Sequence, residues 1–104
     1  MKKIATTLLL LSLVSVSSIT ASAQADLAQG EKLFRQNCAM CHGKSAERSA
    51  LGQSAIINTL NKEEIITALQ KRKSGEISGA GNAVKARLSE QDIENVASYV
   101  PTLK

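Results

Sequence analysis

A single pentapeptide, Cys38-Ala-Met-Cys-His42, constrains this chain more than any other feature of it. The pattern C-x-x-C-H is the attachment site of a c-type haem. Two thiols three positions apart each reach one vinyl group on the porphyrin rim, and the histidine that follows is carried beneath the ring. We therefore expect Cys38 and Cys41 to be covalent tethers and His42 to be the proximal iron ligand. His42 is the only histidine of the chain, so a second imidazole is absent.

Three other readings of the same residues remain open from the sequence. A disulfide between Cys38 and Cys41 would close a very tight loop and restrain little of the unfolded chain. A thioredoxin-like redox pair expects a βαβ context, and no strand pattern lies near the motif. A structural zinc site takes four ligands, whereas this segment offers three. Covalent haem is the reading that we favour.

The first 23 residues have the pattern of a signal peptide. Lys2 and Lys3 form a positively charged start, and a mostly apolar run of Ile4–Val16 follows. The run is shorter than the ~20 residues that a membrane-spanning helix needs. Ala21-Ser22-Ala23 is a cleavage site of the A-x-A kind, and cleavage after Ala25 is an alternative. We expect residues 1–23 to direct export to the periplasm and residues 24–104 to form one small domain.

Charge and aromatic content argue against nucleic-acid binding. The formal net charge is +4, and Lys2 and Lys3 account for two of these charges, so the mature chain carries about +2. The chain has one Phe, one Tyr and no Trp, and no basic stripe is interleaved with aromatic residues. A core this poor in aromatic residues would be completed by a buried porphyrin, so we expect the haem-free chain to fold poorly.

Three segments with helical periodicity predict an all-α domain. They span about 25–37, 62–73 and 90–100. Each starts beside a residue that accepts backbone N–H groups, with Gln, Glu or Asp three positions later; these caps are Asp26, Asn61 and Ser89. No segment alternates convincingly with the period of two that a strand requires.

Two loops connect these predicted helices. Residues 43–60 follow the haem motif and have room for a short helical turn. Residues 74–82 contain three glycines and predict an irregular segment.

Several separated features resemble the class I cytochromes c of the small monohaem type found in bacterial periplasms. Gly30 and Phe34 precede the motif as in the family's G-x-x-x-F-x-x-x-C-x-x-C-H-G opening. Residues 88–93, leading into 96–100, are similar to the family's last helix. The resemblance implies three main helices wrapped around one covalently bound haem c. It also implies that the first and last helices cross, with Gly30, Phe34 and Tyr99 at the contact.

The chain departs from the family at the sixth iron ligand. The family usually supplies a methionine from a loop before the last helix, but residues 78–85 hold no Met, His or Cys. Met1 is in the signal, and Met40 lies between the tethers, so we expect Met40 to be a packing or surface residue. The distal site is then open or water-bound, or it takes Asn82 or Lys85. Asparagine ligation is known in a minority branch of the family, and Lys85 would bind as a neutral amine.

The resemblance implies a periplasmic one-electron carrier without enzymatic activity. It implies periplasmic or membrane-bound redox proteins as partners, no stable membrane insertion after signal cleavage, and a monomer. The alternative is a haem protein that binds NO, CO or O₂ at an open or Asn-ligated site. Without methionine we expect a lower reduction potential than is usual for the family. A basic rim for acidic redox partners would comprise Lys44, Arg48, Lys71, Arg72, Lys73, Lys85 and Arg87.

Overall fold

A computed structural model describes residues 12–15 and 24–104 of the chain. Within these ranges the chain is helical and has no strand, which confirms the all-α prediction. The predicted signal peptide, apart from 12–15, lies outside the described residues. Five α-helices follow in order: α1 Leu27–Asn37, α2 Ala39–His42, α3 Lys62–Ser74, α4 Asn82–Ala86 and α5 Glu90–Tyr99. Short 3₁₀ turns cover Ala50–Gly52, Ile57–Thr59 and Val100–Leu103.

The three helices predicted from periodicity are α1, α3 and α5, and their predicted N-caps are confirmed. Asp26 accepts the N–H of Gln29 at 3.0 Å. Asn61 and Ser89 each form a complete capping box with the third helical residue, Glu64 and Asp92 respectively. These contacts lie within one turn, which explains why the sequence alone identifies them.

The short helices α2 and α4 are not apparent from the sequence. Each has five residues or fewer, so neither is long enough to show an apolar periodicity. The irregular segment predicted over 74–82 is correct for residues 75–81, because Ser74 is the last residue of α3. Gly81 has a φ of 84°, which lies in the left-handed region. Asn82 is the first residue of α4 rather than the last residue of the loop.

The core forms where α1 crosses α5. The rings of Phe34 and Tyr99 lie with their centroids 5.8 Å apart and their planes tilted by 55°. Gly30 faces the backbone of α5, because a Cβ there would lie 2.2 Å from the carbonyl oxygen of Asn95 and 3.1 Å from the Cβ of Tyr99. The crossing expected from the resemblance is therefore present, and its glycine permits the close approach of the two helices.

Polar contacts hold α3 against α5 at both of its ends. Lys62, at the start of α3, pairs with Glu94. Near the end of α3, Lys73 donates to the carbonyl oxygen of Leu88 and lies 3.8 Å from the carboxylate of Glu90. The two ends of the segment from Gly75 to Arg87 therefore lie close together. Of the helices in the described ranges, none has the length and apolarity needed to cross a membrane.

Candidate functional site

The haem motif occupies the end of α1 and the single turn of α2. The N–H groups of Cys41 and His42 both donate to the carbonyl oxygen of Cys38, at 3.2 and 3.0 Å. Gly43 ends the turn with a φ of 86° and donates to Ala39 at 2.8 Å. One helical turn therefore carries both thiols and the imidazole, as covalent attachment along one edge of a porphyrin requires.

The two cysteines are free thiols with different surroundings. Cys38 is half-buried and Cys41 is exposed. Burial raises the pKa of the Cys38 thiol, the Lys85 ammonium opposes this, and Cys41 adds to the rise. The structure has no disulfide bond between Cys38 and Cys41. In the described part of the chain, no group of three His, Cys, Asp or Glu residues is placed to hold a metal ion by itself.

His42 is half-buried, and its Nδ1 is a buried atom without a hydrogen-bond partner among the described residues. Burial lowers the pKa of His42, and the charges of Lys85 and Arg72 lower it further. The backbone of Arg48 lies close enough to raise the pKa of His42. A histidine that binds a metal through one ring nitrogen commonly donates the N–H of the other nitrogen to a backbone carbonyl. The backbone of Arg48 is the neighbour placed to accept such a hydrogen bond from His42.

The loop after the motif folds back against His42. Arg48 donates its N–H to the carbonyl oxygen of His42 at 2.8 Å. Asn58 fastens the far end of this loop by donating to the carbonyl oxygens of Ala46 at 3.2 Å and Ser45 at 3.0 Å. The sequence did not predict that the backbone of Arg48 lies beside His42, because every residue type has the same backbone groups.

Several large apolar side chains of the described residues stay exposed. Met40 is 89 % exposed, which places it at the surface and removes it as an axial ligand. Leu51, in the 3₁₀ turn next to α2, is 69 % exposed, and Ile56 and Ile77 are also exposed. By contrast, the largest fully buried side chains of the described residues are only Phe34, Ile93 and Val100. A domain with so small a core has apolar surface left for a large flat ligand.

Asn82 and Lys85, the two distal candidates, lie one turn apart on α4. The Nδ2 of Asn82 donates to the carbonyl oxygen of Ile77 at 2.7 Å. The Oδ1 is buried and finds no partner among the described residues. Such an atom costs about 1–3 kcal/mol. Lys85 is half-buried, and burial lowers its pKa, with a further lowering by Arg72 and a rise from Cys38 and Cys41.

These observations fit a haem bound at the motif. Two thiols stand on one turn, and the imidazole beside them is half-buried. Two of the three buried unpaired side-chain atoms in the described residues are His42 Nδ1 and Asn82 Oδ1. Leu51, whose turn contacts α2, offers exposed apolar surface beside the motif.

The residues of the predicted basic rim differ in their exposure to solvent. Lys44, Arg48, Lys71 and Arg87 are exposed. Arg72, Lys73 and Lys85 are half-buried, and Lys73 is already engaged with Leu88 and Glu90. Only part of the rim is therefore free to meet a partner.

Residues 25–100 match the family described as cytochrome C oxidase, cbb3-type, subunit III. Cytochrome c-553 of Helicobacter pylori is 39 % identical over 87 residues, which are 83 % of this chain and 91 % of the relative. Cytochrome c-554(547) of Halothiobacillus neapolitanus is 35 % identical over 76 % of this chain and 98 % of its own length. Cytochrome c6 of a Synechococcus strain is 35 % identical over 90 % and 87 %. No solved structure matches significantly.

The helical fold, the crossing of α1 and α5 and the C-x-x-C-H turn define a c-type haem protein. With these comparisons, the chain belongs to the small class I monohaem c-type cytochromes. It is an electron carrier with covalently bound haem c, is not an enzyme, and works with redox partners.

Proposed function

We propose that Cys38 and Cys41 hold the haem through two thioether bonds and that His42 binds its iron from the proximal side. The supporting observation is the single helical turn that carries all three side chains, with Nδ1 of His42 buried and unpaired. We further propose that residues 1–23 are removed on export and that residues 24–104 act in the periplasm as a monomeric one-electron carrier.

In this proposal the protein provides attachment, orientation and exclusion of water. Bound haem c supplies a one-electron iron couple, which no side chain of the chain offers. Cys38 and Cys41 would fix one edge of the ring, and the backbone of Arg48 is placed to accept a hydrogen bond from Nδ1 of His42 in the haem-bound protein. The crossing of α1 and α5 holds the motif in place, since Phe34 packs on Tyr99 one turn before Cys38.

Haem attachment is tested by coexpression with a working c-type maturation system. Denatured wild-type protein should retain one haem by mass and absorb as a bis-thioether haem. Cys38→Ala or Cys41→Ala should leave at most one thioether, and the double variant should retain no haem. Met40→Ala, a change at an exposed position between the tethers, is the matched control and should retain haem fully. Covalent haem in the double variant would refute the assignment.

Export and processing are tested on the same preparation. The protein recovered from the periplasmic fraction should begin at Gln24 or Asp26. Full-length chain bearing Met1 in the membrane fraction would refute cleavage. A single symmetric peak at the mass of one chain in light scattering should accompany the mature protein, and a stable dimer would refute the monomer.

We propose that the exposed part of the basic rim steers acidic redox proteins toward the haem edge. Electron transfer to an acidic partner should then slow as salt is added. Lys71→Glu should slow it more at low salt than Lys32→Glu, an identical charge change at an exposed position of α1. Equal effects of the two variants would remove steering by this rim.

A further inference from the structure

The start of the loop after the haem motif is closed into a turn on His42. The N–H of Arg48 donates to the carbonyl oxygen of His42 at 2.8 Å, and the N–H of Ala46 donates to that of Gly43 at 3.1 Å. These hydrogen bonds close residues 43–48 into a compact turn that begins directly after the imidazole-bearing residue. The position of the Arg48 backbone relative to His42 therefore depends on how firmly this turn is held.

The turn contains strained backbone at Ala46. This residue is completely buried and has a φ of 55°, in the left-handed region that residues other than glycine seldom adopt. Such a conformation persists only where the surrounding contacts hold it in place. The turn therefore needs fastening by groups other than its own backbone hydrogen bonds.

Two side chains fasten Ser45, the residue before Ala46. The N–H of Ser45 donates to Oε2 of Glu47 at 2.9 Å. The carbonyl oxygen of Ser45 accepts from Nδ2 of Asn58 at 3.0 Å, and the N–H of Asn58 donates to the carbonyl oxygen of Ala46 at 3.2 Å. Asn58 holds the turn from the far end of the loop, whereas Glu47 belongs to the turn itself.

The carboxylate of Glu47 lies over Gly43, the residue directly after His42. A Cβ at Gly43 would lie 2.5 Å from Cδ and from Oε1 of Glu47. Because Gly43 has no side chain, the carboxylate can occupy that space. The Glu47 side chain thus reaches back across the turn from its end to its start.

The negative charge of Glu47 strengthens these contacts. Hydrogen bonds from the backbone N–H groups of Glu47 itself and of Ser45, together with the charge of Arg48, lower the pKa of this carboxylate, and desolvation opposes them. The Nε of Arg48 lies 3.9 Å from Oε1 of Glu47. A hydrogen bond to an ionised acceptor is stronger than one between neutral groups. An ionised Glu47 therefore closes the turn more firmly than a neutral side chain would.

We propose that Glu47 is a positioning residue for His42 and acts through the turn of residues 43–48. This inference rests on the proposed attachment of haem with His42 as the proximal ligand. By keeping the turn closed, Glu47 holds the backbone of Arg48 beside His42, whose Nδ1 is buried and has no partner among the described residues. The role is exerted through hydrogen bonds alone, and no bond to the iron involves Glu47.

A firmly closed turn has a redox consequence. A hydrogen bond from the second ring nitrogen of a metal-bound histidine fixes the ring and makes the imidazole a more basic ligand. A more basic ligand favours the ferric state, and hydrogen bonding around the ligands is one of the means by which a protein tunes a haem. Loosening the turn should therefore raise the reduction potential of the holoprotein, in addition to any effect of a lost charge.

Two substitutions at Glu47 separate hydrogen bonding from charge. Glu47→Gln removes the negative charge but keeps an oxygen that can accept the N–H of Ser45. Glu47→Ala removes the charge and the acceptor together. Because both variants lose the same charge, the reduction potential should rise in both and should rise further in Glu47→Ala. Equal potentials in the two variants would show a through-space effect of charge only and would overturn the inference.

Glu76 provides the matched control, since its carboxylate is exposed and makes no hydrogen bond or ion pair among the described residues. Glu76→Gln and Glu76→Ala should have the same reduction potential as each other. Added salt is a further check, because it screens exposed charges. At high salt the potential of Glu47→Gln should return toward that of wild type, while that of Glu47→Ala stays above it. Return of both Glu47 variants to the wild-type potential would overturn the inference.

Hydrogen exchange at the ring of His42 reports on the turn itself. His42 is the only histidine of the chain, so 15N-labelled histidine marks one imidazole. In the holoprotein, the Nδ1 proton should exchange with D₂O roughly two- to fivefold faster in Glu47→Ala than in wild type, the range expected for an exposed charged contact. The backbone amide of Val96, buried in α5, is the internal reference for global unfolding. Equal acceleration at Val96 would indicate a general loss of stability and would overturn the inference.

The attachment proposal and this inference fail in different ways. Wild-type protein without covalent haem by mass would defeat both. Covalent haem, with a potential and a ring exchange rate that are the same in Glu47→Ala and Glu47→Gln, would defeat the inference alone.

Discussion

The side-chain oxygen of Asn95 accepts the backbone N–H of Asp26 at 2.9 Å, across 69 positions of the chain. The same oxygen accepts from Gln91 at 2.9 Å, and Asn95 is only 3 % exposed. This contact fastens the residue that caps α1 to the last helix. The N-terminal end of the domain is thereby fixed within three residues of the predicted cleavage site.

Replacing Asn95 with Ala should destabilise the holoprotein by about 1–3 kcal/mol, because the N–H of Asp26 loses its partner and a buried site is left unfilled. Chemical denaturation monitored by circular dichroism measures the change. Gln91→Ala removes only one of the two donors and should cost less than Asn95→Ala. Equal losses in the two variants would contradict a special role for the Asp26 contact.

Replacing Gly30 with Ala should destabilise the fold by about 1–3 kcal/mol or more, although Ala is the better helix former. The new Cβ would lie 2.2 Å from the carbonyl oxygen of Asn95, so α1 and α5 must move apart. Thermal unfolding of the holoprotein tests this expectation. Gln36→Ala, at an exposed position of the same helix, should change little. A Gly30→Ala variant as stable as wild type would show that α1 and α5 can move apart at little cost in free energy.

The exposed carboxylate of Glu47 should make stability depend on pH in the acid range. Backbone hydrogen bonds lower the pKa of Glu47, and one of them comes from Ser45 at 2.9 Å. A lowered folded-state pKa means a contribution that is present above the ordinary carboxylate pKa and lost as pH falls through the folded value.

The test of this dependence compares Glu47→Gln with wild type over a series of pH values. The variant should be less stable than wild type near neutral pH, and the difference should shrink as the solution is acidified. Glu76→Gln is the control, since the Glu76 carboxylate makes no hydrogen bond or ion pair among the described residues. A difference that grows on acidification would reverse the sign of the argument.

Mature chain that lacks haem should melt with little cooperativity. The described residues bury only three large side chains completely, namely Phe34, Ile93 and Val100. A core of that size seldom stabilises a domain alone. The double variant Cys38→Ala, Cys41→Ala, purified without haem, should show a broad transition by circular dichroism. A sharp melt near that of the holoprotein would contradict this expectation.

Much of this fold can be predicted from the sequence because the interactions concerned are local. The haem motif, the capping residues Asp26, Asn61 and Ser89, and the three long helices all depend on residues within one or two turns of each other. Their interactions form wherever the residue types recur at the right spacing. The sequence alone therefore determined the fold class, the haem motif and the three main helices.

The tertiary structure decided contacts that no pattern of residue types predicts. It shows that Asn95 holds Asp26, that the backbone of Arg48 lies by His42, and that the carbonyl oxygen of Ile77 orients Asn82. The contacts of Arg48 and Ile77 use backbone groups, which any residue could supply. The contact between Asn95 and Asp26 spans most of the domain. Side-chain identity carries no record of such contacts, because they arise only when the folded chain brings the groups together.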